Sequence, residues 1–298
     1  MRIRKWSLFS IINYSLLALF AFTTLYPFIY ILAYSLSDGV EAMKNTIYFL
    51  PKGFTFENYI TIFKDTKFLG AYQITILRTL IGTVLHVFLS ALFAYALTRK
   101  NLPGRSFFTF FIFIPTLFSG GLIPTFVLYR DLGLINSFWV YVIPFLYSFF
   151  HIIILRTFFQ QIPSSLEESA KMDGCGDFQI FMRIIMPLSI PVLATIGLFN
   201  GVFHWNDWFT GTYFVTSKEL LPVQTLLNNL LNESQALADA AKRASEIGTS
   251  TGLVNASQTT PESLRMATLM IATLPILCLY PFLQKYFVKG VMIGSIKG

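Results

Sequence analysis

The chain has 298 residues, of which 54% are hydrophobic and only 12% are charged. This composition excludes an ordinary soluble protein and predicts an integral membrane protein, because a soluble core could not cover so much apolar and aromatic surface. The net charge of +7 is spread over the ends of apolar runs rather than gathered on one polar face, which favours membrane orientation over nucleic-acid binding. The two cysteines, Cys175 and Cys278, form neither a disulfide framework nor a metal-ligand spacing.

Six apolar runs are long enough to cross a bilayer as helices. The first follows a basic N-terminus and is too long for the apolar core of a secretory signal peptide. Pro115, Pro124, Pro144 and Pro275 predict kinks that neighbouring helices must compensate. The predicted fold is an all-α membrane protein with one domain over 1–298 and spans at about 11–36, 71–97, 107–128, 138–159, 188–210 and 264–283.

Basic residues are distributed unequally between the two sides of these spans. With the N-terminus inside, Lys and Arg strongly outnumber the acids in the inner segments, whereas the outer loops are nearly balanced. The asymmetry predicts two cytoplasmic termini, a cytoplasmic loop at 160–187 and an external loop at 211–262. The external loop begins with helical spacing and ends in a flexible polar connector, so it is either a contact for an external partner or a solvated connection.

The cytoplasmic loop is the one long polar interval between strongly apolar segments. Pro163 suits a helix entry, Ser164 and Glu167 have the spacing of a capping box, and Gly174 suits a left-handed stop. These signals predict a short helix that is too polar to insert into the membrane. The small side chains of Ser169 and Ala170 would let another protein approach its backbone.

Polar residues at membrane depth are costly and usually face a cavity or another helix. Asn200, His204 and Asp207 recur at helical spacing in the fifth span, so they line either a translocation path or the outer interface. Arg78 in the second span either extends to the outer headgroups or meets an anionic substrate. The candidate path residues are Arg78, Asn200, His204, Trp205, Asn206, Asp207 and Trp208.

The sequence lacks the motifs of several other function classes. The sequence contains no G-x-x-x-x-G-K-[ST] phosphate loop, so the chain itself is not expected to bind ATP. Ser119-Gly-Gly is similar to part of an ATPase signature, yet its place inside an apolar run favours a kink or helix packing. No catalytic constellation and no metal-ligand set is found, so neither an enzyme nor a bound cofactor is expected.

The cytoplasmic loop resembles the EAA loop of binding-protein-dependent ABC importers. The resemblance lies in Glu168-Ser-Ala and Asp173-Gly-Cys, followed by Phe181, Ile184 and Pro187 at the family's spacing. Three positions depart from the family pattern by small-for-small or apolar-for-apolar exchanges: Ser169, Cys175 and Met186. The position between the fourth and fifth spans and the C-terminal sequence from TPESLRM onward are similar to sugar permeases of the maltose-transporter type.

This resemblance implies an ABC type I importer permease fold with a cytoplasmic coupling helix and no motor of its own. The residues implied in ATPase coupling are Glu167, Glu168, Ser169, Ala170, Met172, Asp173, Gly174 and Phe181. The implied partners are a second homologous permease, two ATPase subunits carrying ATP and Mg, an external solute-binding protein and the lipid of a bacterial inner membrane. The tail at 284–298 is a second candidate contact, either between ATPase subunits or with lipid headgroups.

The resemblance implies uptake of an oligosaccharide, with uronate-containing chains such as alginate or pectin fragments among the candidate substrates. The alternative is a proton-coupled secondary transporter that acts alone. That class would need buried acids in several spans and usually an internal repeat, and the sequence shows neither.

Overall fold

The computed structural model describes residues 8–44, 47–233, 260 and 262–278. Across these residues the chain forms helices and short turns, and its one extended pairing is an isolated bridge between Ser37 and Phe54. The predicted all-α class is therefore confirmed for the part of the chain described. The tail at 284–298 and the polar connector of the external loop lie outside it.

The chain divides into two compact units, of which the first comprises residues 1–68 and 227–275. It contains α1 (Leu8–Ser35), α2 (Gly39–Met43), α3 (Glu57–Lys64) and most of a helix at 262–278. The segment after α1 is fixed by the fully buried Asn58, which donates to the carbonyl oxygens of Ser35 at 2.9 Å and Ser37 at 3.1 Å. Ser263 donates to the side-chain oxygen of Asn58 at 2.8 Å, so one amide joins three segments.

The second unit comprises residues 69–226 and 276–298 and contains both candidate sites. Its long helix is α4 (Thr66–Thr98), which begins at the end of the first unit. The other helices are α5 (Arg105–Leu117), α6 (Leu122–Asp131), α7 (Phe149–Phe159), α8 (Ser164–Met172), α9 (Asp177–Ile180), α10 (Met186–Leu188), α11 (Ile190–Asn206) and α12 (Phe209–Phe214). Short 3₁₀ turns occupy Phe138–Tyr141, Ile143–Phe145 and Lys218–Leu220, and a π-helical turn occupies Phe181–Ile185. Residues 223–233 are helical and continue from this unit into the first.

The predicted spans are only partly continuous helices. Among the described residues, α1 and α4 are long and apolar enough to cross a membrane, and they match the first two predicted spans. Two bent pairs pass the same test together, one formed by residues 138–145 and α7 with a bend of 50°, the other by residues 177–188 and α11 with a bend of 82°. The two bent pairs lie in the regions of the predicted fourth and fifth spans. The span bounds, the count of six spans and the single domain stay predictions.

The interruptions have local causes. The third predicted span stops at Leu117 and resumes at Leu122, because Gly121 adopts a φ of +83° that a helix does not allow. Pro144 lies inside the second 3₁₀ turn, since its ring removes a backbone donor and favours the start of a helical segment. The predicted kinks at Ser119-Gly-Gly and Pro144 are therefore confirmed.

One apolar core of the second unit lies where α4, α5, α7, α8 and α11 meet. Its fully or nearly fully buried side chains are Ala91, Ala94, Tyr95, Leu97, Ile112, Ile152, Leu155, Phe159, Ala170, Ile180, Phe181, Ile185 and Ile196. Because Ala170, Ile180, Phe181 and Ile185 of the polar loop 160–187 belong to this core, the loop packs against the helices rather than extending away from them.

Candidate functional site

The polar loop 160–187 forms the short helix that the sequence predicts. Helix α8 begins at Ser164 directly after Pro163 and ends at Met172. The predicted capping box is wrong, because no side chain caps the first turn. Instead, the carboxylate of Glu167 forms an ion pair with Arg99 at the end of α4, and neither side chain is more than 26% exposed.

The end of α8 has the geometry that the sequence predicts. Gly174 has a φ of +81°, so the chain turns through the left-handed region that favours glycine. Its N–H donates to the carbonyl oxygen of Lys171 at 3.0 Å, and the N–H of Cys175 donates to that of Ala170 at 2.9 Å. This pair of hydrogen bonds is a Schellman motif, and it fixes where the helix stops.

The predicted coupling residues divide into buried and exposed groups. Phe181 is fully buried, with its ring centroid 5.3 Å from that of Tyr95, and Ala170 is 7% exposed in the same core. Both residues pack in the apolar core beside α8 and do not contribute to its exposed surface. Met172 is 89% exposed, and Glu168, Ser169 and Asp173 are exposed beside it.

We expect Gly174→Ala to weaken coupling more than Gly176→Ala. A side chain at Gly174 meets no neighbour within 4 Å but must adopt the positive φ, which costs about 1 kcal/mol or more and loosens the end of α8. Gly176 has a φ of −74° and equally open surroundings, so it is a matched control. The measurement is substrate-stimulated ATP hydrolysis by the assembly that the EAA-like loop implies. Equal rates in the two variants would contradict the prediction.

A second group of polar residues is buried in the same unit. Arg78 of α4 is fully buried, and its Nη1 lies 3.1 Å from Oδ2 of Asp207, whose side chain is 8% exposed. The guanidinium carbon lies 4.9 Å from the centre of the Tyr141 ring, and Nη2 of Arg78 donates to the main-chain oxygen of Asp207. The prediction that Arg78 extends to the headgroups is therefore wrong, because its charge is satisfied inside the unit.

Asp207 also connects α11 to α12. Helix α11 ends at Asn206, so Asp207 lies just beyond it, and its Oδ1 accepts from the backbone N–H of Thr210 at 3.1 Å. Tyr141 in turn donates its hydroxyl to the carbonyl oxygen of Leu220 at 2.9 Å. The ion pair is thus built into a network that joins α4, the first 3₁₀ turn and the segment after α11.

The remaining path candidates lie on different faces. Asn200 and His204 are buried, and Oδ1 of Asn200 and both ring nitrogens of His204 have no hydrogen-bond partner among the described residues. Trp205 is buried with its ring centroid 5.8 Å from that of Tyr72, in an edge-to-face arrangement. Asn206 and Trp208 are exposed. Their assignment to a translocation path stays a prediction.

Sequence reasoning missed a histidine pair. Nδ1 of His86 lies 2.8 Å from the carbonyl oxygen of Phe145, and its Nε2 lies 2.8 Å from Nδ1 of His151. A carbonyl only accepts, so Nδ1 of His86 carries the proton, and in the neutral ring Nε2 accepts from His151. The hydrogen bond from His86 thus satisfies the carbonyl oxygen of Phe145, which lies at the bend before α7. No spacing signal joins two histidines so far apart in the chain.

Comparison with known proteins assigns this architecture to a family. Residues 86–293 match the family described as "Binding-protein-dependent transport system inner membrane component". The chain belongs to this family. The EAA-like loop of this inner membrane component, with α8 inside it, falls within the matched residues.

Two curated relatives and one solved structure match nearly the whole of this inner membrane component. The "Polygalacturonan/rhamnogalacturonan transport system permease protein YtcP" of Bacillus subtilis (strain 168) is 38% identical, covering 99% of this chain and all of the relative. "Protein LplC" of the same organism is 37% identical, covering 92% of this chain and 90% of the relative. A chain of a bacterial ABC transporter involved in the import of the acidic polysaccharide alginate is 32% identical with a TM-score of 0.83, covering 96% of this chain and 99% of that one.

Proposed function

We propose that this inner membrane component is a permease subunit of an ATP-driven ABC importer that takes up an oligosaccharide. The names of its relatives support a carbohydrate: one transports polygalacturonan and rhamnogalacturonan, and another takes part in alginate import. All three are acidic polysaccharides, so uronate-containing oligosaccharides are the substrate class that we propose. Arg78 gives no independent support for an acidic substrate, because it is already paired with Asp207.

The observation that carries the proposed mechanism is the attachment of α8 to two spanning segments. The ion pair between Glu167 and Arg99 joins α8 to the end of α4. In the other direction, the chain runs from α8 through residues 177–188 into α11 after a bend of 82°. A rigid-body displacement of α8 would therefore move α4 and α11 together, and these helices carry Arg78, Asn200 and His204.

The exposed face of α8 suits contact with a separate protein. Met172 and Leu166 present apolar surface, 89% and 42% exposed, beside the charged side chain of Glu168. In this proposal the face docks on ATPase subunits that bind ATP and Mg. The assembly also contains a second permease and an external solute-binding protein, with both termini and the loop 160–187 on the cytoplasmic side.

The decisive test is uptake with an inactive motor. The chain is produced with its partner permease, its solute-binding protein and ATPase subunits in which the catalytic glutamate is replaced by glutamine, and uptake of a labelled uronate oligosaccharide is measured in vesicles. We expect uptake to be abolished, whereas a proton ionophore leaves the wild-type initial rate unchanged. Uptake that persists without ATP hydrolysis and stops with the ionophore would instead support a proton-coupled secondary transporter.

A further inference from the structure

Two arginines lie at the same end of the adjacent antiparallel helices α5 and α7. Arg105 is the first residue of α5, and Arg156 lies in the last turn of α7. At the opposite end of this helix pair, the rings of Phe113 and Phe149 are 5.1 Å apart, so α5 and α7 are in direct contact there. The helix pair therefore carries two positive charges at one end.

Neither arginine is neutralised within the described part of the chain. Both side chains are half-buried, neither forms an ion pair with a described carboxylate, and Nε of Arg156 is buried without a hydrogen-bond partner. By contrast, Arg99, which directly follows α4, is paired with Glu167. Two partly desolvated like charges are unfavourable unless an anion binds between them.

An apolar cavity adjoins the same two helices. It has a volume of about 490 Å³ and lies between α4, α5, α7 and the turn before α7. Its wall includes Phe93, Ala96, Phe111, Ile112, Pro115 and Ile152. At about 1.5 Å per helical residue, it begins roughly 9 Å from Arg105 along α5 and roughly 6 Å from Arg156 along α7.

We propose that Arg105 and Arg156 bind the phosphate of an anionic phospholipid whose acyl chain occupies the adjoining cavity. Arginine presents paired donors that match phosphate oxygens, and basic pockets between spanning helices suit anionic headgroups. A lipid fits better than a partner protein, because the charged end continues into an apolar cavity and the same helices expose Phe107, Phe110 and Phe150 by more than 60%. In the proposed orientation, the headgroup lies in the cytoplasmic leaflet.

The test is lipid retention by the full complex in mild detergent, measured by native mass spectrometry after incubation with phosphatidylglycerol or phosphatidylcholine. We expect selective retention of phosphatidylglycerol and a loss of about tenfold or more in the double variant Arg105→Gln and Arg156→Gln, since two charge-assisted contacts disappear. Arg130→Gln is the matched control, because Arg130 is exposed and paired with Asp131 on α6. Unchanged retention in the double variant would overturn the site.

Two further variants keep the test decisive if the double variant folds poorly. Ala96→Phe fills the cavity and leaves both arginines in place, so it should also lower phosphatidylglycerol retention, whereas Arg105→Lys with Arg156→Lys should retain most of it. Inorganic phosphate should not displace the lipid. If inorganic phosphate displaced the lipid and Ala96→Phe retained phosphatidylglycerol normally, the arginines would bind a free anion rather than a lipid. If the double glutamine variant instead lost an ATPase subunit and kept normal lipid retention, the arginines would form a protein contact. Either result would overturn the proposal.

Discussion

Asp207→Asn should destabilise the protein by about 3–5 kcal/mol, because it leaves the fully buried guanidinium of Arg78 without its counter-ion. Removing one member of a buried pair costs far more than the pair itself contributes, since the remaining charge has lost water and gained no partner. Asparagine can still accept from the backbone of Thr210, so the effect isolates the charge from the cap of α12. The measurement is the thermal unfolding midpoint of the purified complex.

A double variant and a surface control sharpen this expectation. Arg78→Met combined with Asp207→Asn removes both charges and should recover part of the lost stability, which gives a favourable coupling free energy in a double-mutant cycle. The control is Asp131→Asn, because the pair of Arg130 and Asp131 is about 60% exposed on each side chain and contributes about 0–1 kcal/mol. Equal unfolding midpoints for Asp207→Asn and Asp131→Asn would show that the buried ion pair contributes no more to stability than the exposed one.

Gly82→Ala should destabilise the contact between α4 and α11 by about 1–3 kcal/mol through overpacking. A Cβ atom at Gly82 would lie 2.5 Å from Nε2 of His204 and 2.8 Å from its Cε1. That ring cannot move aside easily, because it is 1% exposed and lies against Phe145, with ring centroids 5.9 Å apart. The helices would have to separate, and both transport and the unfolding midpoint should fall.

The matched control for Gly82 is on the same helix. Gly70→Ala places a Cβ with no neighbour within 4 Å, so it should be neutral or slightly stabilising through helix propensity. Combining Gly82→Ala with His204→Ala should cost less than the sum of the single variants, because the second substitution removes the clash. Additive costs would show that the imidazole does not determine the spacing of these helices.

The sequence was sufficient wherever the deciding interaction is local. Apolar length located α1 and α4, and the glycine at position 174 located the end of α8, because hydrophobic burial and backbone freedom depend on the residues concerned and their neighbours in the chain. The spacing of the loop 160–187 also indicated the family to which residues 86–293 were then assigned. Local reasoning failed at Glu167, where a capping role was predicted, because a long-range ion pair with Arg99 competes for the same carboxylate.

The sequence by itself thus determined the all-α membrane class, the two continuous spans, the stop of α8 and the family. Only the tertiary structure decided that Arg78 is neutralised by Asp207, that Phe181 and Ala170 support α8 from inside, and that His86 meets His151. The physical reason is sequence separation: these partners are brought together by helix packing, and a single side chain carries no signal of the distant group that will satisfy it. Charge pairing and burial are therefore properties of the packed helices, whereas span length and chain turns are properties of the local sequence.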